Sequence, residues 1–259
     1  MKSVVIATTT FYKSTDELRF HLACDIVRKA AAGGYKVVIV DASPAKEIAD
    51  SLRAQGALIY FQQSPGMGPG RREAFSHAYE VGKHMGAEVI FWTEPEKVDL
   101  ICSIPKIVKG IRATVMDIVI PRRSEASWQT WPKFQRESEK NANKRYNEIF
   151  GTDNVDVMFG PVAFSMAVAG EFISCTPQTF GVDDTYIQHY APIIARYRYG
   201  ANVVRVVEVD MTYPPMQRSE EEGAQNNAML EKRRWQAKSL TEAYQKLAAK
   251  CEFLKREGA

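Results

Sequence analysis

Short apolar runs alternate with helical patterns through the first half of the chain. Five β-branched or apolar runs predict strands buried on both faces: 3–8, 36–40, 58–61, 88–92 and 117–121. Segments with apolar residues at helical spacing separate them, at 14–32, 44–55, 71–85 and 103–113. Parallel strands need such crossovers. The pattern therefore predicts an α/β fold with a doubly wound, mainly parallel sheet flanked by helices.

The second half of the chain is less regular. Strand patterns occur at 203–209 and within 155–167, and helical patterns at 137–150, 180–199 and 229–255, the second interrupted near Pro192. No linker composition or internal repeat divides the sequence. We therefore predict a single domain over 1–259 that ends in a C-terminal helix over 229–259.

Composition narrows the functional classes. The 259 residues include 34 basic and 31 acidic side chains, a net charge of +3, which gives no concentrated basic face for nucleic acid. The four cysteines are widely spaced and form no CxxC pair, so we expect reduced thiols. The first apolar run is too short for a signal peptide, and no segment reaches the roughly 18 apolar residues of a spanning helix. These features predict a cytoplasmic protein without an integral membrane segment.

Polar side chains follow the first four predicted strands. Ligands of doubly wound sheets bind beyond the carboxyl ends of the strands, so these residues are the first candidates for a site. They are Thr9, Thr10 and Tyr12 after the first strand, Asp41 after the second, the loop 62–70 after the third, and Thr93, Glu94 and Glu96 after the fourth.

Glu94 and Glu96 flank a proline directly after the fourth predicted strand. Two carboxylates at positions i and i+2 can face one divalent ion, and Mg²⁺ and Mn²⁺ prefer oxygen ligands together with phosphate oxygens. The pair is therefore a candidate site for Mn²⁺ or Mg²⁺, with His189 as a further candidate ligand. The alternatives are a solvated acidic turn and a structural histidine.

The segment 66–72 (GMGPGRR) combines three glycines with two arginines. Gly68 and Gly70 let the backbone approach a ligand closely, and Arg71 and Arg72 adjoin a helix start, which can bind an anion. The segment matches neither a Walker loop nor a Rossmann fingerprint. The alternative is a flexible loop before a helix.

Asp183 and Asp184 precede a predicted helix. Either carboxylate could cap that helix, which is the commoner role. Either could instead be a general base that deprotonates an acceptor hydroxyl.

The order of these features resembles the GT-A fold of family 2 glycosyltransferases. A polar first strand end, an aspartate after the second strand, a Gly/Arg loop, a carboxylate pair after the fourth strand and a late acidic pair follow one another as in that family. The segment 231–235 (EKRRW) is similar to the family's Gln-x-x-Arg-Trp element. The resemblance covers about residues 3–236 at the level of pattern.

The resemblance implies a role for each candidate. Glu94-Pro95-Glu96 falls at the family's Asp-x-Asp metal motif, and Asp183-Asp184 falls at its catalytic pair, with Asp184 favoured as the base. The nucleotide-sugar-binding residues would be Thr9, Thr10, Tyr12, Asp41, Gly68, Gly70, Arg71, Arg72 and Thr93. The partners would be a nucleoside-diphosphate sugar and a hydroxyl acceptor, in a metal-assisted, inverting transfer of a hexosyl group.

The resemblance also divides the chain. Residues 1–123 would form the nucleotide-sugar-binding half and residues 124–228 the acceptor half. Trp128, Trp131 and Tyr213 would be an acceptor platform, or else core aromatics. A homo-oligomer is left open.

Several residues depart from the family pattern. Glutamates replace the aspartates of the metal motif, Arg71-Arg72-Glu73 replaces Ala-Arg-Asn, and Glu231 replaces glutamine. These departures indicate a divergent branch of the superfamily. Two alternatives stay open: a nucleotidyltransferase of similar fold, whose Gly-rich loop normally follows the first strand, and a nucleotide-sugar-binding protein that has lost catalysis.

Overall fold

Seven strands form one central sheet in the computed structural model, which describes residues 3–223 and 227–257. The strands are β1 Val4–Thr10, β2 Lys36–Asp41, β3 Ala57–Phe61, β4 Val89–Trp92, β5 Ile118–Arg123, β6 Val162–Ser165 and β7 Val204–Val209. Their order across the sheet is β3-β2-β1-β4-β6-β5-β7. All neighbours run parallel except β6, which is antiparallel to both β4 and β5. The predicted fold class is confirmed.

Helices cover both faces of the sheet. They are α1 Leu18–Ala32, α2 Lys46–Ala54, α3 Met67–Met85, α4 Ile104–Ile107, α5 Glu125–Thr130, α6 Lys133–Phe150, α7 Ala169–Ile173, α8 Ile187–Tyr199, α9 Pro215–Gly223 and α10 Asn227–Glu257. Within residues 3–223 and 227–257, no helix combines the length and apolar character needed to cross a membrane.

Several helix predictions differ from the structure. α3 begins at Met67 rather than at 71, so Gly68 and Gly70 lie in its first turn and not in a loop, and α8 begins at Ile187 rather than at 180. α1 begins at Leu18 rather than at Ser14, and the Glu17 carboxylate accepts from the backbone amides of Lys13 and Ser14 in the segment before it. The segment predicted as a helix over 103–113 contains only the short α4. α8 continues through Pro192 instead of breaking there.

The strands bury opposite faces in two apolar layers. In β1, Val4 and Ile6 pack with α1, α2 and α4, whereas Val5 and Ala7 pack with α3, α6, α8 and α10. Two buried faces explain why β1, β2 and β4 are continuous apolar runs rather than alternating ones. Cys24, Cys102, Cys175 and Cys251 are all thiols outside any disulfide, as predicted.

Candidate active site

The strand order has a topological switch point between β1 and β4, where successive strands stop being added on one side of β1 and are added on the other. β2 and β3 lie on one side of β1, and β4 lies on the other. Ligands of open α/β sheets bind beyond the strand ends at such a switch point. A pocket of about 360 Å³ lies there, and its walls include Glu94, Glu96 and Arg71.

Glu94 is held against the start of β6 by strand register. Trp92 pairs with Val162 across the antiparallel β4–β6 ladder, so Glu94, two residues beyond, meets Gly160, two residues before. Gly160 has φ of 95°, and a Cβ there would overlap Glu94 Oε1. Only glycine satisfies both conditions. The absence of a side chain at residue 160 therefore leaves the space that the Glu94 carboxylate occupies.

Two cations set the charge of Glu94. Lys97 Nζ lies 2.8 Å from Glu94 Oε2. Burial alone would raise the pKa of Glu94, but Lys97 and Arg71 lower that pKa below its ordinary value. Glu94 is thus an ionised carboxylate in the pocket wall.

Glu96 is paired more loosely. Its nearest basic partner is Arg19, with Nε 3.9 Å from Oε1. Burial raises the pKa of Glu96, with a further contribution from Glu94 and opposition from Arg19 and Lys97. The two carboxylates therefore differ: one is stabilised as an anion, and the other lacks enough positive charge.

Arg71 lies under the pocket at the N-terminal end of α3. Its Nη1 donates to the Thr185 carbonyl and, at 2.9 Å, to Gln188 Oε1. The guanidinium carbon lies 5.6 Å from the ring centre of Trp92 and 5.7 Å from that of Tyr186. Burial lowers the pKa of Arg71, and Glu94 opposes that shift.

His189 lines the same pocket from α8. Its Nδ1 lies 3.0 Å from the hydroxyl of Tyr244, so Nε2 is the nitrogen left for a ligand. Burial, reinforced by Arg71, lowers the pKa of His189 to about 3. The imidazole is therefore neutral, which is the state that binds metal ions.

The carboxylates and the imidazole fit a divalent ion only in part. Glu94, Glu96 and His189 line one pocket, and the mutual repulsion of the glutamates would be relieved by a cation. Across residues 3–223 and 227–257, however, no three His, Cys, Asp or Glu side chains converge closely enough to hold a metal by themselves. Two carboxylates in one pocket are still compatible with Mg²⁺ or Mn²⁺, because these ions use few protein carboxylates and complete their coordination with phosphate and water.

Asp41 and Tyr12 lie at the ends of β2 and β1. Asp41 Oδ1 accepts from Thr10 Oγ1 at 2.7 Å and from Ser43 Oγ at 2.6 Å, whereas Oδ2 is buried without a partner. The Tyr12 hydroxyl is also buried without a partner, and burial raises its pKa. Thr9 lies within β1, before Thr10, and is partly exposed.

Unpartnered buried polar atoms concentrate at this edge. Among the described residues they are Thr8 Oγ1, Tyr12 Oη, Asp41 Oδ2, Arg71 Nε, Trp92 Nε1 and Gln135 Oε1. Every one belongs to a carboxyl-terminal strand end or to a wall of the pocket, apart from Thr8 inside β1. Folded proteins pair nearly all such groups, so this edge has unused hydrogen-bonding capacity.

The Gly/Arg segment packs against the late acidic pair. Arg72 Nη2 lies 2.6 Å from Asp184 Oδ2, and a Cβ at Gly68 would overlap Asp184. A Cβ at Gly70 would collide with the Gln62 side chain instead. Both glycines therefore serve close packing within the protein.

Not every predicted residue reaches the pocket. Among the described residues, its walls include Glu94, Glu96, Arg71 and His189 but neither Asp183 nor Asp184. Asp183 is exposed, and its Oδ1 accepts from the Thr185 amide at 2.8 Å. Thr93 is buried behind the strand end and donates to the Glu94 carbonyl at 3.2 Å.

Sequence reasoning missed another part of the pocket wall, formed by Arg123 and Glu139. At the end of β5, Arg123 donates to Asp156 Oδ2 and Oδ1 at 2.7 Å each and to Glu139 Oε2 at 2.6 Å. Asn143 Nδ2 donates to Asp156 Oδ1 at 2.6 Å. We call these four residues the Arg123 cluster. Strand-end position was the available signal, since Arg123 follows the fifth predicted strand as Glu94 follows the fourth.

The three aromatic residues named from the sequence are all buried. Trp131 and Tyr213 line the pocket, with ring centres 4.9 Å apart. Trp128 lies under the Arg123 guanidinium, 3.5 Å from ring centre to guanidinium carbon. Only the first two face the space where a ligand would lie.

Comparison with known proteins identifies the fold. No protein-family model and no curated protein sequence matches the chain. Among solved structures, glucosyl-3-phosphoglycerate synthase of Mycobacterium tuberculosis with Mn²⁺, UDP and phosphoglyceric acid is similar, with TM-score 0.56 and 11% identity over 90% of this chain and 78% of that one. The chain has the GT-A fold.

Other structures of that mycobacterial enzyme share the GT-A fold with this chain. The complex with Mn²⁺, UDP-glucose and glycerol 3-phosphate gives TM-score 0.52 and 9% identity, covering 90% of this chain and 80% of that one. The complex with Mg²⁺ and UDP gives TM-score 0.52 and 9% identity over 90% and 79%. At such identities the likeness establishes the GT-A fold and nothing about substrates.

Proposed function

We propose that this chain is a glycosyltransferase that moves a sugar from a nucleoside-diphosphate sugar to an acceptor hydroxyl. The observation that carries the proposal is the set of buried, unpartnered polar atoms at the ligand edge of a GT-A sheet, above all Tyr12 Oη, Asp41 Oδ2 and Arg71 Nε. Groups of this kind are stabilised when a polar ligand supplies their missing partners.

The nucleotide would bind over the ends of β1 and β2. Asp41 would accept a hydrogen bond from the base or ribose through Oδ2, and Tyr12 would donate through its hydroxyl. Arg71 would face the diphosphate, because it is a buried cation in the wall of the pocket. Thr9 is a further proposed contact, because it is partly exposed at this edge. The other predicted residues are engaged within the protein and would support the site from behind: Thr10, Gly68, Gly70, Arg72 and Thr93.

A divalent ion, Mn²⁺ or Mg²⁺, would bind beside Glu94 and Glu96 and complete its coordination with phosphate oxygens and water. His189 lines the same pocket, but it does not converge with both glutamates into a three-residue ligand set in this structure, so its Nε2 would have to move closer to become a third ligand. Such an ion would neutralise the negative charge that grows on the departing nucleoside diphosphate. The mycobacterial enzyme of similar fold was solved with both metals. We expect Glu96→Gln to weaken metal-dependent nucleotide binding by about tenfold or more, measured by calorimetry with Mn²⁺ and with chelator.

The acceptor would occupy the end of the pocket nearest Trp131 and Tyr213. Gln135 lies there, and its Nε2 donates to Glu139 at 2.8 Å. Because the carboxylate can only accept, the amide orientation is fixed and the unpartnered Gln135 Oε1 is available to a hydroxyl. The pocket of about 360 Å³ favours a small acceptor. The mycobacterial enzyme was solved with phosphoglyceric acid and with glycerol 3-phosphate, which are both small.

We propose Asp184, or else Asp183, as the base that deprotonates the acceptor. Asp184 is the second acid of the pair, and it would have to exchange its bond to Arg72 for one to the acceptor. We expect the Asn variant of the base to lower turnover by about 10²–10⁴-fold with near-normal affinity for the sugar donor. If both single Asn variants keep full turnover, the base lies elsewhere.

A turnover assay tests the whole proposal. UDP-, GDP-, TDP- and CDP-sugars would be supplied with Mn²⁺ and a panel of small hydroxyl acceptors, and the anomeric configuration of any product would be read by NMR, where we expect inversion. A thermal-shift screen with the four nucleoside diphosphates runs in parallel, because ligands of the native state raise the melting temperature.

A second candidate is a nucleotide-sugar-binding protein without turnover. It is favoured by the position of Asp183 and Asp184 outside the pocket walls formed by the described residues. Binding of a nucleotide with no product from any donor and acceptor pair would support this candidate over the enzyme.

A further inference from the structure

Lys97 places a cation inside the proposed metal site. The backbone turns directly after Glu94, with the Lys97 amide 3.2 Å from the Glu94 carbonyl. The same turn brings Lys97 Nζ to 2.8 Å from Glu94 Oε2. Both side chains are largely shielded, with 17% and 28% of their surfaces exposed. This ion pair is therefore part of the pocket wall rather than a surface contact.

Each oxygen of Glu94 already has a close neighbour on one side. Oε1 lies against Gly160, where even a Cβ would overlap it. Oε2 is paired with Lys97. A divalent ion that binds Glu94 would therefore lie close to the ammonium, and the repulsion between the two cations would weaken the hold of Glu94 on each of them. Glu96, at 3.9 Å from its nearest basic nitrogen, has no cation so close.

We propose that Lys97 is a built-in cation of the nucleotide site, which competes with a divalent ion for Glu94 and itself binds the diphosphate of a nucleoside diphosphate. The second half of this inference rests on the proposed function, because it requires a nucleotide in the pocket. The first half concerns only this chain and a metal ion.

The chemistry of lysine supports both halves. An ammonium group has three N–H donors, and one bond to Glu94 leaves two for phosphate oxygens. Lysine binds phosphate as a point charge and needs no fixed planar geometry. Lys97 and Arg71 line the same pocket, so a diphosphate there would meet two side-chain cations. Nucleotide binding would then persist, at reduced affinity, without any metal.

The chain offers a matched control. Glu80 and Lys83 are another Glu–Lys pair three residues apart, 3.5 Å between charged atoms, but both side chains are more than half exposed on α3. Lys83→Met removes the same charge by the same substitution outside the pocket. Lys97→Arg keeps a cation at the site and serves as the rescue variant.

The experiment measures two affinities on each intact protein. Mn²⁺ binding is measured without nucleotide by electron paramagnetic resonance, and UDP binding is measured by calorimetry in chelator. For Lys97→Met we expect Mn²⁺ to bind about threefold or more tightly, because the competing charge is gone. We expect UDP to bind about tenfold more weakly, because a charged hydrogen bond is lost. Lys83→Met should change neither, and Lys97→Arg should restore most of the metal-free UDP binding.

The outcomes separate the inference from the proposed function. Unchanged or weaker Mn²⁺ binding by Lys97→Met, or no Mn²⁺ binding by any variant, overturns the competition. Unchanged UDP binding in chelator overturns the phosphate contact. If the unmodified protein binds no UDP under any condition, the proposed function fails, while the Mn²⁺ measurement still decides the competition. Lys97→Gln replaces the Met variant if melting curves show that the latter is misfolded.

Discussion

Two groups of charged residues contribute to the walls of one pocket, and each includes a residue at the end of a strand, Glu94 after β4 and Arg123 in β5, yet they are built differently. In the Arg123 cluster, each described contact is a short hydrogen bond, and the Arg123 side chain is 1% exposed. In the carboxylate pair, Glu94 is bound by Lys97, but Glu96 has only a 3.9 Å approach from Arg19. The charged groups of the first are all held by short hydrogen bonds, and those of the second are not.

This difference in pairing indicates that the Arg123 cluster is structural and that the two glutamates can bind a ligand. Burial alone would lower the pKa of Arg123, but Asp156 and Glu139 raise it, so the guanidinium stays charged at any working pH. A fully paired buried group has no capacity left for a ligand, whereas a carboxylate short of positive charge is stabilised by an incoming cation. The Arg123 cluster therefore shapes the pocket, and the glutamates are where a ligand would bind.

The largest effect expected from this comparison is on stability. Arg123→Leu leaves Asp156 and Glu139 buried without their cation, which should cost about 3–5 kcal/mol of unfolding free energy. Urea denaturation measures it, with Arg122→Leu as the control. Arg122 is the adjacent residue, and its pair with Glu208 is at the surface, so that change should cost about 1 kcal/mol or less. Equal losses for the two variants would mean that the cluster is not structural.

An intermediate effect is expected on nucleotide affinity from Asp41. In Asp41→Asn, the amide oxygen can still accept the hydrogen bonds that Thr10 and Ser43 donate to Oδ1. The amide NH₂ group, which is a donor, would replace the unpartnered Oδ2. We expect UDP to bind about tenfold more weakly, with little change in melting temperature. Asp41→Ala should also destabilise the fold, because it orphans the buried Thr10 hydroxyl. Normal UDP binding by the Asn variant would reduce Asp41 to a turn residue.

The same comparison explains what the sequence could predict. β1, β2 and β4 are buried on both faces, so each is a continuous apolar run whose end is visible, and each end delivers Asp41, Tyr12 or Glu94. A strand is predicted within 155–167, and β6 lies there, but its antiparallel pairing with β4 and β5 leaves no periodic signal in a run of four residues. The donor-side residues could thus be named, but their neighbour Gly160 could not.

The other contacts that the sequence did not predict join residues that are far apart in the chain. Arg123 meets Asp156 only because β5 and the segment before β6 lie side by side, and 33 residues separate the two in sequence. Arg72 and Asp184, separated by 112 residues, were both named as candidates for chemistry, but their contact with each other was not foreseen. Lys97 adjoins the Glu-Pro-Glu motif, and its role depends on a turn that the sequence pattern does not fix.

The smallest expected effect is also the most specific to the carboxylate pair. The pKa of Glu94 is lowered and that of Glu96 is raised relative to the ordinary value of 4.5. The ionised Glu94 therefore adds stability above pH 4.5, and this contribution is lost as the pH falls through its folded pKa. The ionised Glu96 acts in the opposite sense, because stability is lost as the pH rises from 4.5 through its folded pKa.

Substitution of each glutamate by glutamine should expose these opposite signs. Urea unfolding from about pH 3 to pH 7 should show Glu96→Gln gaining stability relative to the unmodified protein as the pH rises above 4.5. Glu94→Gln should be less stable than the unmodified protein at neutral pH, and the difference should shrink as the pH falls below 4.5. The double variant controls for coupling, because each carboxylate alters the field at the other. Parallel pH dependences for the two single variants would mean that both glutamates meet the same environment, and the distinction between a satisfied and an unsatisfied carboxylate in this pocket would fall.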